Sequence, residues 1–146
     1  MQTLLILYNT RTGNTELMAK AVEDGAKTVQ GVEVTLTYHA HPEELQNADA
    51  VIIGAPTYNH HMTIDIQDLL EKTAQENITP KGKIAAVFGS YGWSGEAPQQ
   101  VLEVLQNKFQ MKIMAPPILA NYRPDEKALK TCRELGKKVA ETLLKV

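Results

Sequence analysis

With 146 residues, 43% of them hydrophobic, the chain has the length of one domain and can bury a full core, so a single domain over residues 1–146 is expected. A formal net charge of −2, with Lys and Arg spread along the chain, gives no basic patch for nucleic acid or an anionic membrane, and one cysteine excludes an internal disulfide or a cysteine-built metal centre. No apolar run approaches the ~20 residues of a membrane span and the start lacks the basic region of a signal peptide, so a cytoplasmic protein is expected.

In chain order, Thr3 to Tyr8 reads as a buried strand, and apolar or small residues at Leu17, Met18, Ala21, Val22 and Ala26 mark one face of a helix starting near Thr15. Further strands are predicted at Val32 to Tyr38, Ala50 to Gly54, Lys83 to Ser90 and Lys112 to Ala115, the last ending before Pro116-Pro117. Helical patterns lie between them near Pro42 to Asn47, Ile64 to Gln75 and Pro98 to Phe109, and a final one runs from Pro124 to Lys145 with Asp125 and Glu126 near its start, which suits the helix dipole. Cys132 falls in that last helix as a packing residue. The runs Leu4-Leu5-Ile6-Leu7, Val51-Ile52-Ile53 and Ile84-Ala85-Ala86-Val87-Phe88 do not alternate, as for strands covered on both faces. The pattern predicts an α/β fold with a doubly wound, five-stranded parallel sheet in the order 2-1-3-4-5, and ligands in such sheets sit beyond the carboxyl ends of the strands.

Three loops at that end carry the chemistry. Between the first strand and helix, Tyr8-Asn9-Thr10-Arg11-Thr12-Gly13-Asn14-Thr15 offers the hydroxyls of Thr10, Thr12 and Thr15, the Asn14 amide and a glycine free to take positive φ. The unpaired N–H groups at the helix start add to these, making a site for a small anion. The plainer reading is a capped helix with Asn14 or Thr15 as N-cap. The loop has neither G-x-x-x-x-G-K-[ST] nor G-x-G-x-x-G, so a single phosphoryl group fits better than a nucleoside triphosphate or a dinucleotide. The loop after the third strand is Ala55-Pro56-Thr57-Tyr58-Asn59-His60-His61-Met62, and that after the fourth is Ser90-Tyr91-Gly92-Trp93-Ser94-Gly95-Glu96-Ala97. Of one Trp, five Tyr and two Phe in the chain, Tyr58, Tyr91 and Trp93 fall in these two loops, and aromatics in polar loops need a partner. A flat ring system joined to one phosphate satisfies all three loops.

The motif Thr10-x-Thr12-Gly13-Asn14-Thr15 resembles the FMN phosphate loop of flavodoxins, from which the 2-1-3-4-5 order and its ligand site between the first and third strands are themselves known as a rule. Gly89-Ser90-Tyr91-Gly92-Trp93-Ser94-Gly95-Glu96-Ala97 is similar to the second flavin loop in the flavodoxin-like domain of flavodiiron proteins, and Pro116-Pro117 and Lys130 to Lys138 look like the same branch. The resemblance covers nearly the whole chain but no diiron domain, so a free-standing short-chain flavodoxin is expected and reduction of oxygen or nitric oxide is not. It implies that Thr10, Arg11, Thr12, Gly13, Asn14 and Thr15 hold the FMN phosphate. Pro56, Thr57, Tyr58, Asn59 and His60 would line one side of the isoalloxazine, and Ser90, Tyr91, Gly92, Trp93, Ser94 and Gly95 the other. Tyr58 is the candidate for one ring face and Trp93 or Tyr91 for the other. Arg11 is balanced between contacting phosphate and being a solvated loop charge. Many flavodoxins carry a glycine in the first flavin loop whose peptide flips on reduction. Tyr58-Asn59-His60-His61 has none, and Asn59, which tolerates positive φ, is the residue expected to stand in for it.

The loops hold no nucleophile with a base and no carboxylate dyad, so catalytic residues are not assigned and the redox chemistry would belong to the flavin. His60-His61 is not expected to bind metal, because neighbours on an extended segment point to opposite sides and no third ligand appears. Instead His60 is a titrating group near the flavin, with Glu96, Asp65 and Asp68 on the same rim. The expected function is electron carriage between a low-potential donor, such as ferredoxin or a reductase, and acceptor proteins docking at the flavin edge, by a monomer or alternatively a dimer. An FMN-dependent NAD(P)H reductase of quinones or other small acceptors is the alternative. A phospho-receiver domain needs acidic residues where this chain has Asn9, Thr10, Pro56 and Thr57, and a low-molecular-weight phosphatase needs a cysteine in the first loop.

Overall fold

The computed structural model describes residues 1–38, 40–78 and 80–145. Its elements are β1 (Gln2–Tyr8), α1 (Asn14–Lys27), β2 (Val32–Thr37), α2 (Pro42–Asn47), β3 (Ala50–Gly54), α3 (Ile64–Gln75), β4 (Ile84–Tyr91), α4 (Glu96–Glu103), β5 (Lys112–Ile113), β6 (Ile118–Asn121) and α5 (Glu126–Leu143). The sheet is parallel, as the apolar runs predicted, and takes the order β2-β1-β3-β4-β5 expected for five strands joined by right-handed crossovers. The fifth position differs from expectation. It is shared by two short strands, β5 against Ile84 and Ala85 and β6 against Phe88 to Tyr91. Pro116 and Pro117 explain the break, since neither has an N–H to donate and their fixed φ interrupts the ladder. α4 also departs from a plain helix, running into a π-helical turn at Val104–Lys108.

Alternate side chains of β1 enter different cores, which is why the run shows no polar alternation. Leu4 and Ile6 pack with Met18, Val22, Ile52, Phe88, Cys132 and Val139 under α1 and α5. Leu5 and Leu7 pack with Val51, Ile53, Leu70, Val87, Val101 and Leu105 under α3 and α4. Each fully buried side chain of this size contributes roughly 1.5–3 kcal/mol, so both layers hold the sheet whose loops form the site. Cys132 is fully buried, as expected of a packing residue, and burial pushes its thiol up to about 12.

α1 and α5 meet backbone to backbone. A Cβ on Gly25 would lie 1.9 Å from the carbonyl oxygen of Arg133, and one on Gly136 would lie 2.0 Å from that of Val22. Only glycine allows this approach. It fixes the axis of α1, and therefore the position of the loop at its N-terminus. α5 itself starts as predicted, with Asp125 as N-cap accepting from the Ala128 N–H at 2.8 Å.

Candidate functional site

The first loop leaves β1 through buried Asn9, whose N–H donates to the Gly54 carbonyl at 3.1 Å and whose side-chain amide reaches Asp65 Oδ2 at 3.4 Å. Thr10 Oγ1 then accepts from the Gly13 N–H at 2.9 Å, closing a tight turn, while Tyr38 Oη donates to the Thr10 carbonyl at 3.0 Å. Gly13 has φ 88°, and a Cβ there would meet nothing within 4 Å, so the glycine serves the left-handed backbone rather than a close contact. The N-cap of α1 is Gly13, and no side chain caps the helix, so the capped-helix reading with Asn14 or Thr15 does not hold. Arg11 and Thr12 are exposed and Asn14 half-exposed around this uncapped N-terminus. That donor set suits an anion.

Thr15 and Ser90, both placed by sequence among the lining residues, lie deeper. Thr15 is fully buried, with Oγ1 3.0 Å from Ser90 Oγ and accepting from the Ser90 N–H at 3.3 Å. Their side chains tie the first loop to β4. Pro56 and Thr57 are buried as well, and Thr57 Oγ1 accepts from the Ala97 N–H at 2.9 Å, so the second loop caps the helix that follows the third. The Thr57 N–H donates to the Ser90 carbonyl at 3.3 Å, continuing the ladder past the strand ends.

The segment Tyr58 to His61 is not extended, as the argument on the histidine pair supposed. Tyr58 and His61 exchange two backbone bonds, at 3.0 and 3.1 Å, and the residues between them are left-handed, Asn59 at φ 52° and His60 at φ 63°. This is a two-residue turn of the type that favours Asn-Gly. Asn59 is of a type that tolerates positive φ, while His60 fills the position where glycine is usual.

Trp93 is 85% exposed, which is costly for so large an apolar surface without a partner. Its ring centroid lies 5.0 Å from that of His60, and Tyr58 carries the Arg11 guanidinium 4.4 Å above its ring. Arg11, though exposed, is thereby held against the second loop. Tyr91 is half-buried and packs on Gly95, where a Cβ would come within 3.0 Å of its ring, and the Gly92 carbonyl accepts from Asn121 Nδ2 at 3.0 Å. His60 Nδ1 lies 2.8 Å from Glu96 Oε2 and 2.9 Å from Ser94 Oγ. Bonds from Ser94 and then His60 hold the Glu96 carboxyl below its ordinary range, against a smaller opposing effect of burial. Asp65 and Asp68 are exposed at the start of α3. Sequence reading missed Gln100, whose amide spans the turn from α4, and Tyr38 and Asn121, which brace the loops; each reaches its partner across at least 28 positions. A cavity of about 630 Å³ between β6 and α5 is lined by Pro117, Leu119, Arg123 and Leu135 and stands apart from the three loops.

An uncapped helix start in a loop that reaches the Tyr58 ring through Arg11, together with an exposed Trp93 in the loop bonded to His60, fits a phosphate carrying a flat heterocycle. The family described as Flavodoxin matches residues 6–136. The structure is similar to that of a flavodoxin from the domain Archaea, with a TM-score of 0.85 and 33% identity over 98% of this chain and 99% of that one. The type A flavoprotein fprA of Rhodobacter capsulatus is 33% identical over 97% of this chain, and the anaerobic nitric oxide reductase flavorubredoxin of Escherichia coli is 33% identical over 94%. The chain spans about a third of the length of these curated relatives. With the sheet order, the uncapped glycine turn and the matched span all agreeing, the chain belongs to the flavodoxin family.

Proposed function

We propose that the chain binds FMN across the three loops and carries electrons between protein partners. The observation that carries this is the left-handed start of α1 at Gly13, with no side-chain cap, in the loop whose Arg11 lies over the half-buried Tyr58 ring, while Trp93 stands exposed in the third loop. Backbone N–H groups at the start of α1, with Thr10, Thr12, Asn14 and Gly13, hold the phosphate, and Arg11 links that end to the Tyr58 wall. Thr15 and Ser90 act from behind, fixing the distance between the anion site and β4. Tyr58 and Trp93 flank the ring, with Pro56, Thr57, Asn59, His60, Tyr91, Gly92, Ser94 and Gly95 shaping the two loops around it.

When bound, FMN supplies the electron storage. The residues bind and orient it, and the aromatic walls exclude water, which penalises added negative charge and lowers the potential at which charge is accepted. With a net charge of −2, long-range steering is weak and partners dock by local contacts near Trp93. Among the described residues no helix is long and apolar enough to cross a membrane. A single-domain, monomeric, cytoplasmic carrier with a ferredoxin or reductase as donor is the accompanying reading.

The test is the absorption spectrum of the purified protein, with acid release and identification of the pigment. Flavin bands and FMN support the reading, whereas a colourless protein that leaves added FMN fully fluorescent refutes it. Rapid steady-state oxidation of NADH or NADPH would replace the carrier with a reductase.

A further inference from the structure

The turn between Tyr58 and His61 holds two non-glycine residues at positive φ, and His60 stands where glycine would cost nothing. Strain of that kind persists where surrounding bonds over-determine it. Here the bonds come from the neighbouring helix. Gln100, in the second turn of α4, donates from Nε2 to the His60 carbonyl at 2.9 Å and accepts at Oε1 from the Met62 N–H at 3.0 Å. One side-chain amide thus grips the turn and its exit, satisfying two backbone groups. The His60 imidazole completes the connection through Glu96 and Ser94 and packs beside Trp93. The same helix takes its N-terminal cap from Thr57, at the start of this loop. The second and third loops are consequently joined at both ends of the turn by α4.

We propose that Gln100 and His60 are positioning residues that clamp the Tyr58 wall to the Trp93 wall, holding the pocket at the spacing the flavin ring needs. This rests on the FMN reading above. The clamp stores strain in the turn and spends it on a preformed site, which lowers the ordering cost of binding. Gln100 acts through backbone groups and His60 through Glu96 and Ser94.

The experiment compares wild type, Gln100→Leu, Gln100→Glu and His60→Gly for FMN affinity by fluorescence quenching. It also records apoprotein thermal midpoints and hydrogen exchange of the Met62 amide. Gln100→Leu keeps the bulk and loses both bonds, so FMN dissociation rises about ten- to thirtyfold and the Met62 amide exchanges faster without cofactor. Gln100→Glu keeps the acceptor for Met62 and falls between the two. His60→Gly relieves the strained φ, so the apoprotein midpoint rises while FMN binding weakens. A residue with a merely structural role would move both quantities in one direction. Wild-type FMN affinity in both Gln100→Leu and His60→Gly overturns the clamp and leaves FMN binding intact. Wild-type protein that binds no FMN overturns the functional reading, and the clamp with it.

Discussion

The buried tie between Thr15 and Ser90 offers the sharpest test of how the first loop is built. Thr15→Val keeps the shape of a fully buried side chain and so opens no cavity, but it removes the acceptor of the Ser90 N–H and the partner of the Ser90 hydroxyl. Ser90 is only 6% exposed, so water does not replace either bond. Leaving a buried polar group unpaired costs roughly 1–3 kcal/mol, and the longer of these two bonds, at 3.3 Å, belongs at the low end. A loss of about 2–3 kcal/mol follows, or about 5–10 °C in the thermal midpoint of a domain this size. Adding Ser90→Ala removes the orphaned hydroxyl and should restore about 1 kcal/mol, a coupling that a double-mutant cycle reads directly. The assay is urea unfolding of the cofactor-free protein, followed by circular dichroism. An apoprotein loss below about 0.5 kcal/mol would refute the reasoning, since well-satisfied surface changes lie in that range. Should FMN affinity fall instead, the hydroxyl faces the phosphate and not β4.

Gly136→Ala should destabilise the fold by several kcal/mol, beyond the ~1–3 kcal/mol usual for overpacking, because its Cβ would meet the Val22 backbone at 2.0 Å; a near-normal urea midpoint would contradict the close crossing of α1 and α5. In alkali, Cys132 and Tyr8 both stay protonated in the folded chain up to about 12, Cys132 through burial and Tyr8 through burial and its bond to Glu16, whereas unfolding restores ordinary values of 9.0 and 10.0. The stability they contribute is complete below pH 9 and is lost as pH rises from there toward 12, so urea midpoints should fall across that window and fall less steeply in Cys132→Ala. Arg11→Met should weaken FMN and riboflavin alike, by about two- to fivefold, since the guanidinium stacks on Tyr58; a loss confined to FMN would place its main contact on the phosphate.

What could be read in advance divides along physical lines. α2 and α3 begin and end where Pro42 and the periodic run from Ile64 to Gln75 placed them, because local propensity and the buried face agree there. At α2 the Glu44 side chain even reaches back to the His41 N–H at 3.0 Å. The parallel sheet was legible because β1, β3 and β4 are apolar on both faces, and its order followed from the general rule for five strands joined by right-handed crossovers. The three loops were legible through their hydroxyls, glycines and aromatics. The division of the last strand was half-visible, since Pro116-Pro117 marked where pairing stops and nothing local marked Ile118 to Asn121 as its resumption. The inward turn of Thr15 depends on Ser90, and the left-handed His60 depends on Gln100. Such pairings are decided by tertiary contact and carry no local signal.

The glycine crossing has a reach beyond packing. Because Gly25 and Gly136 let the two helices touch along their main chains, the C-terminal helix acts as a rear mount for the lever whose far tip carries Gly13. Clipping or loosening that mount changes no ligand-facing residue yet frees the lever to pivot. Escape of the bound dye should then be an early symptom of damage at the opposite end of the molecule.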